Sequence, residues 1–463
     1  MNRIFSTDTV NKVGEEVLLK GWVNARRNMG KIAFLDLRDK NGILQVVGVP
    51  AELDEKSNEE LKKIRLEDLI ELRGIVQARG AKQQNPDMPT GMVEILAKEI
   101  KTITDTIALP FEISGDTREF SEPLRMKYRY LDLRSERMKN NIVNRHKINL
   151  FLRNHFSAQG FTEIETPYLT KGTPEGAREY LVPSRIYKGE FYVLPQSPQQ
   201  FKQLLMVAGM ERYFQIARCF RDEDQRGDRQ PEFTQFDMEM SFTNQEEILN
   251  LTEEAMIKLV EEYYPEKKIM QKPFPRLTYQ DAAKKYKSDK PDLRKDSADK
   301  NELAFAWVTD FPMFEESAEE KKLVAVHHPF TRPQEEDVKL LDNEPLKVRA
   351  IAYDLVLNGF EVGGGSMRIH ERDLQNKIFE LLGLEKEEIQ SRFGHILEAF
   401  TFSPPPHGGL ALGLDRLVML LQGEENIREV MAFPKTSDAR DLMMGAPSVV
   451  SPKALDDANI KLK

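Results

Sequence analysis

Apolar and polar residues alternate with a period of two through much of the first hundred residues, which is the pattern of half-buried β-strands. The runs are VLLKGWVNARR (17–27), KIAFLDLRD (31–39), ILQVVGV (43–49), LIELRGIVQARG (69–80) and GMVEILAKEI (91–100). Asn41-Gly42 between two of these runs predicts a hairpin turn, and the polar stretch at 58–69 predicts a helix. This succession of short strands predicts a small β-barrel, with the oligonucleotide-binding (OB) type as the leading candidate.

The pattern changes near residue 136, where periods typical of helices appear. One predicted helix ends at Gly160, and a second covers 245–264 with a stripe of Ile248, Leu251, Ala255 and Leu259. Strands are predicted at 190–194, 213–220, 233–242, 347–359 and 409–414. Because strands and helices mix without regular βαβ alternation, this part is expected to be an antiparallel α+β domain. The charged segment 287–303 is expected to be a surface connection.

Composition narrows the class of protein. A chain of 463 residues with 40% hydrophobic content can form two or three domains, and its net charge of −9 argues weakly against non-specific DNA binding. No apolar run is long enough to span a membrane, and the N-terminal stretch MNRIFSTDTVNK lacks the apolar core of a signal peptide. The lone Cys219 excludes an internal disulfide and a cysteine cluster for zinc. A cytoplasmic protein without a membrane partner is expected.

The stretch FRDEDQRGDRQPEFTQFD (220–237) concentrates charges of both signs between two predicted strands. In the second of these strands, Phe236 and Met238 alternate with Asp237 and Glu239, so that one face is apolar and the other is ionic. Two interpretations are open for the loop: a solvated, salt-bridged turn, or part of a site for a polar ligand. The ionic strand face favours the second, because buried ions need partners.

Three other segments carry matching side chains. The segment 195–206 has Ser197, Gln199 and Lys202 near a predicted helix start, and 404–421 leads from glycines into a helix with Arg416 in its first turn. A glycine-flanked strand-to-helix junction with an arginine suits a phosphate.

The third segment, 360–370, places Glu361 and Arg368 around three glycines. Strict strand alternation would put these two residues on opposite faces, since they are seven apart. We therefore predict a β-bulge within 363–365 that brings both into one pocket.

These motifs resemble those of the class II aminoacyl-tRNA synthetases, and within them the bacterial-type aspartyl-tRNA synthetases. GFTEIETPYLT with Pro167, RCFRDEDQRGDRQPEFTQFD with Arg221 and GLALGLDRL with Arg416 match the three family motifs in order. The segments TKGTPEGAREY, QSPQQFKQ, VHHPFT and GFEVGGGSMRIH match aspartyl-type signatures. The resemblance implies an N-terminal OB-fold anticodon-binding domain at 1–105, a linker at 106–135 and a class II catalytic domain at 136–463, built on an antiparallel sheet with flanking helices.

The resemblance also implies an activity: ATP-dependent activation of L-aspartate, followed by transfer to tRNA(Asp). Arg221 and Arg416 are the implied catalytic residues. Residues implied to bind aspartate are Glu175, Ser197, Gln199, Lys202, Arg221, Asp237, His327 and Arg368. Residues implied to bind ATP are Arg221, Asp222, Glu223, Gln230, Phe233, Glu361, Gly413, Leu414, Asp415 and Arg416. Asp354 and Glu361 are the implied Mg²⁺ ligands, and the family pattern implies a homodimer through the segment around Pro167.

In the barrel, the resemblance assigns anticodon contacts to Arg27, Met29, Phe34 and Gln45. Phe34 has two interpretations, an aromatic ring that stacks on a base or a member of the barrel core. Residues 1–105 hold 17 Lys and Arg against 17 Asp and Glu, so this domain is neutral while the remainder carries the negative charge.

Two features leave alternatives open. Bacterial-type relatives usually carry an extra domain between the second and third motifs, and only the short segment 287–303 stands there in this chain. The enzyme either charges tRNA(Asp) alone or is non-discriminating and also charges tRNA(Asn). Methionine at position 29 resembles the leucine of discriminating relatives, which favours charging of tRNA(Asp) alone without deciding it.

The alternatives of another class are a catalytically silent tRNA-binding protein and an amide-forming ligase. Retention of Arg221 and Arg416 argues against the first, and the barrel argues against the second.

Overall fold

A computed structural model describes residues 1–172, 177–317 and 322–462 of the chain. Contacts divide the chain into two compact units, 1–124 and 125–463. Among the described residues, no helix is both long enough and apolar enough to cross a membrane.

The first unit is a closed β-barrel, as the alternating pattern predicted. Its elements are β1 (Glu16–Met29), β2 (Ile32–Arg38), β3 (Ile43–Gly48), α1 (Glu55–Lys63), β4 (Leu69–Ala78) and β5 (Val93–Thr104), with the strands in the order β1-β2-β3-β5-β4. β2 and β3 form the predicted antiparallel hairpin. Inward-facing apolar residues such as Leu19, Leu35 and Leu72 form the core.

The helix in the barrel lies earlier than predicted at 58–69. It begins at Glu55 because the side chain of Asp54 caps it by accepting a hydrogen bond from the Ser57 N–H. It ends at Lys63 because Ile64 leaves the helical conformation and is buried in the barrel core.

The second unit is built on one large mixed sheet. The strands of this unit, six of which form three separate two-stranded sheets (β7-β8, β11-β13 and β15-β16), are β6 (Thr162–Glu163), β7 (Leu181–Pro183), β8 (Phe191–Val193), β9 (Arg212–Phe220), β10 (Glu232–Ser241), β11 (Lys268–Ile269), β12 (Arg276–Thr278), β13 (Glu302–Leu303), β14 (Phe305–Thr309), β15 (Phe314–Glu316), β16 (Leu323–Ala325), β17 (Ala352–Leu357), β18 (Phe360–Met367) and β19 (His407–Gly413). The large sheet runs in the order β12-β14-β17-β18-β19-β10-β9-β6. Its central pairs are antiparallel, whereas β12-β14 and β6-β9 are parallel.

Helices flank this sheet. They are α2 (Glu122–Lys127), α3 (Arg129–Asp132), α4 (Glu136–Ala158), α5 (Gln199–Val207), α6 (Gln245–Tyr263), α7 (Tyr279–Tyr286), α8 (Arg372–Leu381), α9 (Lys386–Ala399), α10 (Leu414–Gln422) and α11 (Pro452–Asp457). The predicted helices correspond to α4 and α6. Gly160 has a positive φ just beyond α4, as the prediction of a glycine at the helix end requires. Ile248, Ala255 and Leu259 of α6 pack in the main core, and Leu251 packs at its edge.

Two predictions for this unit needed correction. The strand predicted at 347–359 is confined to Ala352–Leu357, because the preceding residues pair with loops: the Met313 N–H donates to the Val348 carbonyl. The segment 287–303 is irregular, apart from its last two residues in β13, but it is not wholly at the surface, because Pro291 is buried.

Close packing of β10 against β19 generates a prediction for Gly409, which is paired with Glu239. A Cβ at Gly409 would lie 2.1 Å from both Glu239 Oε2 and the Met238 carbonyl oxygen. We expect Gly409→Ala to lower the free energy of unfolding by about 1–3 kcal/mol, measured by denaturant titration. Gly227→Ala is the matched control, since its Cβ would meet nothing nearer than 3.5 Å. Equal stability of the two variants would contradict this account.

Candidate active site

The residues on the ionic face of β10 are paired with small residues of the neighbouring strand β19. Gln235, Asp237 and Glu239 pair with Gly413, Ala411 and Gly409, respectively. Directly opposite residues share a face of the sheet, so the small partners leave space next to the ionic side chains. The alternation Gly-Leu-Ala-Leu-Gly in β19 sends its leucines into the core on the other face.

This space contains a cavity of about 270 Å³, which we call the ionic cavity. Its polar lining is Ser197, Gln199, Lys202, Arg221, Gln235, Asp237, His327, His328, Asp354, Glu361, Ser366 and Arg368. All the residues that the family resemblance assigned to aspartate line it, apart from Glu175, which lies outside the described residues.

Four buried charged groups form a network along one wall of the ionic cavity. Lys202 Nζ lies 2.7 Å from Asp237 Oδ2 and 3.3 Å from Glu239 Oε2. The Arg368 guanidinium donates to both carboxylate oxygens of Glu239, over 2.9 and 3.2 Å. The two cations are therefore held by two carboxylates before any ligand is present, which fixes their positions.

The network controls the protonation of its members. Burial raises the pKa of Asp237, an effect that Lys202 opposes. Burial also disfavours the charged form of Glu239, but Arg368 and Lys202 outweigh it and lower the pKa of that carboxyl group. Glu239 is therefore the firmly ionised anion of the network.

Two adjacent histidines lie beside these charges. The Arg368 guanidinium points at His328 Nε2 over 2.7 Å, and burial, together with Arg368, lowers the pKa of His328 well below its usual value. His328 is therefore neutral and orients Arg368. The Nε2 atom of His327 is buried without a hydrogen-bond partner among the described residues, and its ring contacts Phe311 edge-on. This atom is available to a ligand in the ionic cavity.

A second cavity of about 200 Å³, the arginine cavity, opens beside the first. Both Arg221 and Arg416 line it, although 195 positions separate them along the chain. The Arg416 guanidinium donates to the Glu361 carbonyl over 3.0 Å and pairs with Asp228 over 3.1 Å. The Arg221 guanidinium lies over the ring of Phe233, 5.1 Å from its centroid.

The two cavities are continuous. Arg221, Gln235 and Glu361 line both of them. A ligand in the ionic cavity and a ligand in the arginine cavity would therefore meet at the Arg221 guanidinium.

Two carboxylates converge between the cavities. A Cβ at Gly364 would lie 2.8 Å from Asp354 Oδ1 and 3.5 Å from Glu361 Oε1, so the glycine leaves room for both. Burial, reinforced by the neighbouring Glu361 carboxyl group, raises the pKa of Asp354 well above its usual value. Lys290 Nζ lies 3.2 Å from Glu361 Oε2. Paired carboxylate oxygens of this kind fit Mg²⁺, which takes one or two protein carboxylates and fills its other positions with water and phosphate.

The predicted β-bulge is present but lies one residue early. Val356 pairs with Glu361, and the next residue, Leu355, pairs with Gly363, so Val362 is the extra residue. The prediction of a bulge within 363–365 was therefore wrong in position. The bulge has the predicted effect, because Glu361 and Arg368 line the same cavity.

Most residues assigned to ATP line the arginine cavity, namely Arg221, Glu223, Gln230, Phe233, Glu361, Gly413, Asp415 and Arg416. Asp222 and Leu414 do not line it: Asp222 is exposed and Leu414 is buried in the core. The carboxylate of Asp415 accepts from the Thr234 N–H over 2.8 Å and pairs with Arg145, so it also has a structural role.

On the barrel, the four residues assigned to the anticodon share the outer face. Arg27 pairs with Phe34 across β1 and β2, Asp36 pairs with Gln45, and Met29 is 69% exposed. Phe34 is half-buried and lies outside the barrel core, so its interpretation as a core aromatic is wrong. Arg27 donates to Asp36 over 3.0 Å and to Gln45 over 3.2 Å.

The sequence analysis assigned no role to several polar residues that line the cavities, among them Gln235, Lys290 and His328. It also assigned none to Glu239, which pairs with Lys202 and Arg368. The alternation in β10 did place Glu239 on the ionic face, and that signal was sufficient to find it. The family pattern pointed to His327 and gave no role to the adjacent His328. Lys290 had no signal, since it lies in an irregular, charged segment.

Comparisons with known proteins agree with this architecture. The family model described as tRNA synthetases class II (D, K and N) matches residues 121–437, and the OB-fold nucleic acid binding domain matches residues 17–103. Two similar curated proteins are the "Aspartate--tRNA(Asp/Asn) ligase" of Dehalococcoides mccartyi and the "Aspartate--tRNA ligase" of Shouchella clausii. The first is 42% identical over 588 residues, with 98% of each chain covered, and the second is 42% identical over 573 residues, with 97% of each covered.

Solved structures show the same fold. Asparaginyl-tRNA synthetase from Pyrococcus horikoshii, complexed with asparaginyl-adenylate, matches with a TM-score of 0.76 at 21% identity, covering 94% of this chain and 98% of that one. Aspartyl-tRNA synthetase from Entamoeba histolytica matches with a TM-score of 0.73 at 23% identity, covering 94% and 91%.

The alignments are longer than this chain, as expected if its relatives carry an additional domain. The alignment with the Dehalococcoides protein extends over 588 positions, and 588 minus 463 leaves at least 125 positions without a counterpart in this chain. This difference agrees with the expectation that the domain usual between the second and third motifs is missing. With an OB-fold barrel, the full succession of family motifs and 42% identity over nearly its whole length, the chain belongs to the class II tRNA synthetases of the D, K and N group.

Proposed function

We propose that this ligase activates L-aspartate with ATP to form aspartyl-adenylate, and then transfers the aspartyl group to the 3′ end of tRNA(Asp). The observation that carries the proposal is the position of Arg221 where the two cavities meet, with Lys202 and Arg368 on one side and Arg416 on the other.

The first step needs no protein nucleophile. The α-carboxylate oxygen of aspartate attacks the α-phosphorus, the bond from that phosphorus to the bridging oxygen breaks, and pyrophosphate leaves with the electron pair. The protein aligns the reactants and stabilises the charge that develops on phosphate. The planar Arg221 fork can hold a carboxylate oxygen and an α-phosphate oxygen together, while Arg416 holds the far end of the triphosphate.

Aspartate recognition is assigned to the ionic cavity. Lys202 and Arg368 bind the side-chain carboxylate, His327 Nε2 contributes a polar contact, and Ser197, Gln199 and Asp237 hold the ammonium group. An asparagine side chain is rejected because a neutral amide does not compensate two desolvated cations. This assignment is supported by the buried positions of Lys202 and Arg368.

ATP is assigned to the arginine cavity, with Phe233 under the adenine and Glu223 and Gln230 near the adenosine. Asp354 and Glu361 would hold Mg²⁺, which neutralises charge on the pyrophosphate group. The convergence of their carboxylates over Gly364 supports this assignment.

The barrel is assigned to the tRNA anticodon, through the outer face that carries Arg27, Met29, Phe34 and Gln45. A half-buried aromatic ring among polar side chains suits an unpaired base. The alternative substrate range is both tRNA(Asp) and tRNA(Asn), because relatives of equal identity bear the names "Aspartate--tRNA(Asp/Asn) ligase" and "Aspartate--tRNA ligase". Charging of the two purified tRNAs with labelled aspartate distinguishes these ranges.

We also propose a cytoplasmic homodimer. Exposed apolar side chains lie close together in the sequence, within the first family motif, on β7 and β8, and between these two strands. They are Tyr168, Leu169, Leu181, Ile186, Tyr187, Phe191 and Tyr192. Several exposed apolar side chains so close in the sequence are consistent with a protein interface.

The role of Arg221 is tested by Arg221→Ala, for which we expect aspartate-dependent exchange of pyrophosphate into ATP to be abolished. The physical reason is the loss of the only group assigned to touch both reactants. Circular dichroism checks that the fold is retained, and Arg153→Ala, an exposed arginine on α4, is the control. Near-normal exchange by Arg221→Ala would rule out its assignment.

The carboxylate clamp is tested by Arg368→Lys, which keeps the charge beside Glu239 but loses the bidentate fork. We expect KM for aspartate in the exchange assay to rise on the order of tenfold or more, with KM for ATP little changed. The exposed Arg372→Lys is the matched control. An unaltered KM for aspartate would show that Arg368 does not bind the side-chain carboxylate.

The anticodon surface is tested by Phe34→Ala. Loss of one base–aromatic stack should raise KM for tRNA about tenfold, and pyrophosphate exchange, which needs no tRNA, should be unaffected. Val13→Ala, which removes an exposed apolar side chain of the same unit outside the assigned anticodon surface, serves as the control. If both variants aminoacylate tRNA like the unmodified protein, Phe34 makes no base contact.

A further inference from the structure

Lys290 is a cation of the arginine cavity to which the function proposed above assigns nothing. Its Nζ lies 3.2 Å from Glu361 Oε2, and the Arg416 guanidinium lies 3.9 Å from the same oxygen. The two cations therefore lie on the same side of the cavity. Because Arg416 is assigned to the far end of the triphosphate, Lys290 is close to the space assigned to the same phosphates.

Local packing fixes the backbone of Lys290. Its N–H donates to Ser288 Oγ over 2.9 Å, and the next residue, Pro291, is buried. The backbone also contacts the turn between β17 and β18, since a Cβ at Gly359 would lie 3.9 Å from the Lys290 carbonyl oxygen. Glu361 follows this turn by two residues. The lysine and its carboxylate partner are therefore brought together by one piece of local structure.

The side chain of Lys290 has more freedom than its backbone. It is 36% exposed, and its ammonium group ends a flexible stem of four carbons. An ion pair between partly exposed groups contributes little stability. The ammonium group can therefore leave Glu361 when a stronger anion enters the cavity.

ATP is such an anion, and its binding would change the surroundings of both partners. The triphosphate brings several charged oxygens into the arginine cavity, and lysine binds phosphate as a point charge that needs no fixed geometry. Glu361 is assigned to Mg²⁺ when ATP binds, so its carboxylate then has less negative charge to offer an ammonium group. The partner of Lys290 is thus weakened at the moment when phosphate oxygens become available.

We propose that Lys290 is a further phosphate-binding residue of this ligase, which pairs with Glu361 in the substrate-free protein and moves to the pyrophosphate portion of ATP when ATP binds. It adds a cation from the segment 287–303 to the two arginines, Arg221 and Arg416, that are assigned to the triphosphate. This inference rests on the proposed function, since it requires ATP to occupy the arginine cavity.

The test is direct binding of nucleotides to the full-length protein, which is independent of catalysis. Kd for ATP with Mg²⁺ present is measured by isothermal titration calorimetry for the unmodified protein, Lys290→Met and the control Lys295→Met. Lys295 is an exposed lysine of the same segment. We expect Lys290→Met to raise Kd for ATP about tenfold, because one hydrogen bond between charged groups is lost, and Lys295→Met to leave it unaltered.

AMP separates a phosphate contact from a general structural effect, because AMP lacks the two phosphates that leave as pyrophosphate. We expect Lys290→Met to bind AMP with the same Kd as the unmodified protein, which also shows that the cavity is intact. The inference is overturned if Lys290→Met binds ATP as tightly as the unmodified protein, or if ATP and AMP are weakened equally. Failure of the unmodified protein to bind ATP would instead overturn the proposed function, so the two failures are distinguishable.

Discussion

The site depends on mutual neutralisation of four buried charges, those of Lys202, Asp237, Glu239 and Arg368. Each would be costly to bury alone, and none finds its partner within its own secondary-structure element. Lys202 comes from α5, the two carboxylates come from β10, and the guanidinium comes from the residue that follows β18. Desolvation therefore makes the convergence of these three elements a condition for folding. The two cations that we assign to the side-chain carboxylate of aspartate, Lys202 and Arg368, are therefore held in place by the fold itself.

The charges of this network offset one another before any substrate is bound. Lys202 and Arg368 face Asp237 and Glu239, and Arg221 shares the lining of the ionic cavity with the carboxyl groups of Asp354 and Glu361. The proposed preference for aspartate over asparagine therefore depends on the kind of group that Lys202 and Arg368 present rather than on a net charge of the cavity. Both side chains only donate hydrogen bonds, so they can pair with both oxygens of a carboxylate but not with the amino group of an amide.

Much of this arrangement could be predicted from the sequence, and the limits have physical causes. Strand alternation located the barrel and the ionic face of β10, because a half-buried strand has a strict period of two. The position of the bulge at Val362 was missed, since glycines only permit an irregularity and the register is decided by the pairing of β17 with β18. Lys290 carried no signal at all: a lysine in a charged segment is ordinary until packing brings it to Glu361.

Both cavities are formed by a chain that is shorter than its relatives. The residues that line the ionic and arginine cavities come from 197–237 and 326–427, apart from Lys290. Lys290 lies in the charged segment 287–303, where we expect the longer relatives to carry an additional domain, and its Nζ pairs with Glu361. The next residue, Pro291, is buried, so the segment packs against the rest of the unit at this point. The lining of both cavities is therefore formed without the additional positions of the Dehalococcoides relative.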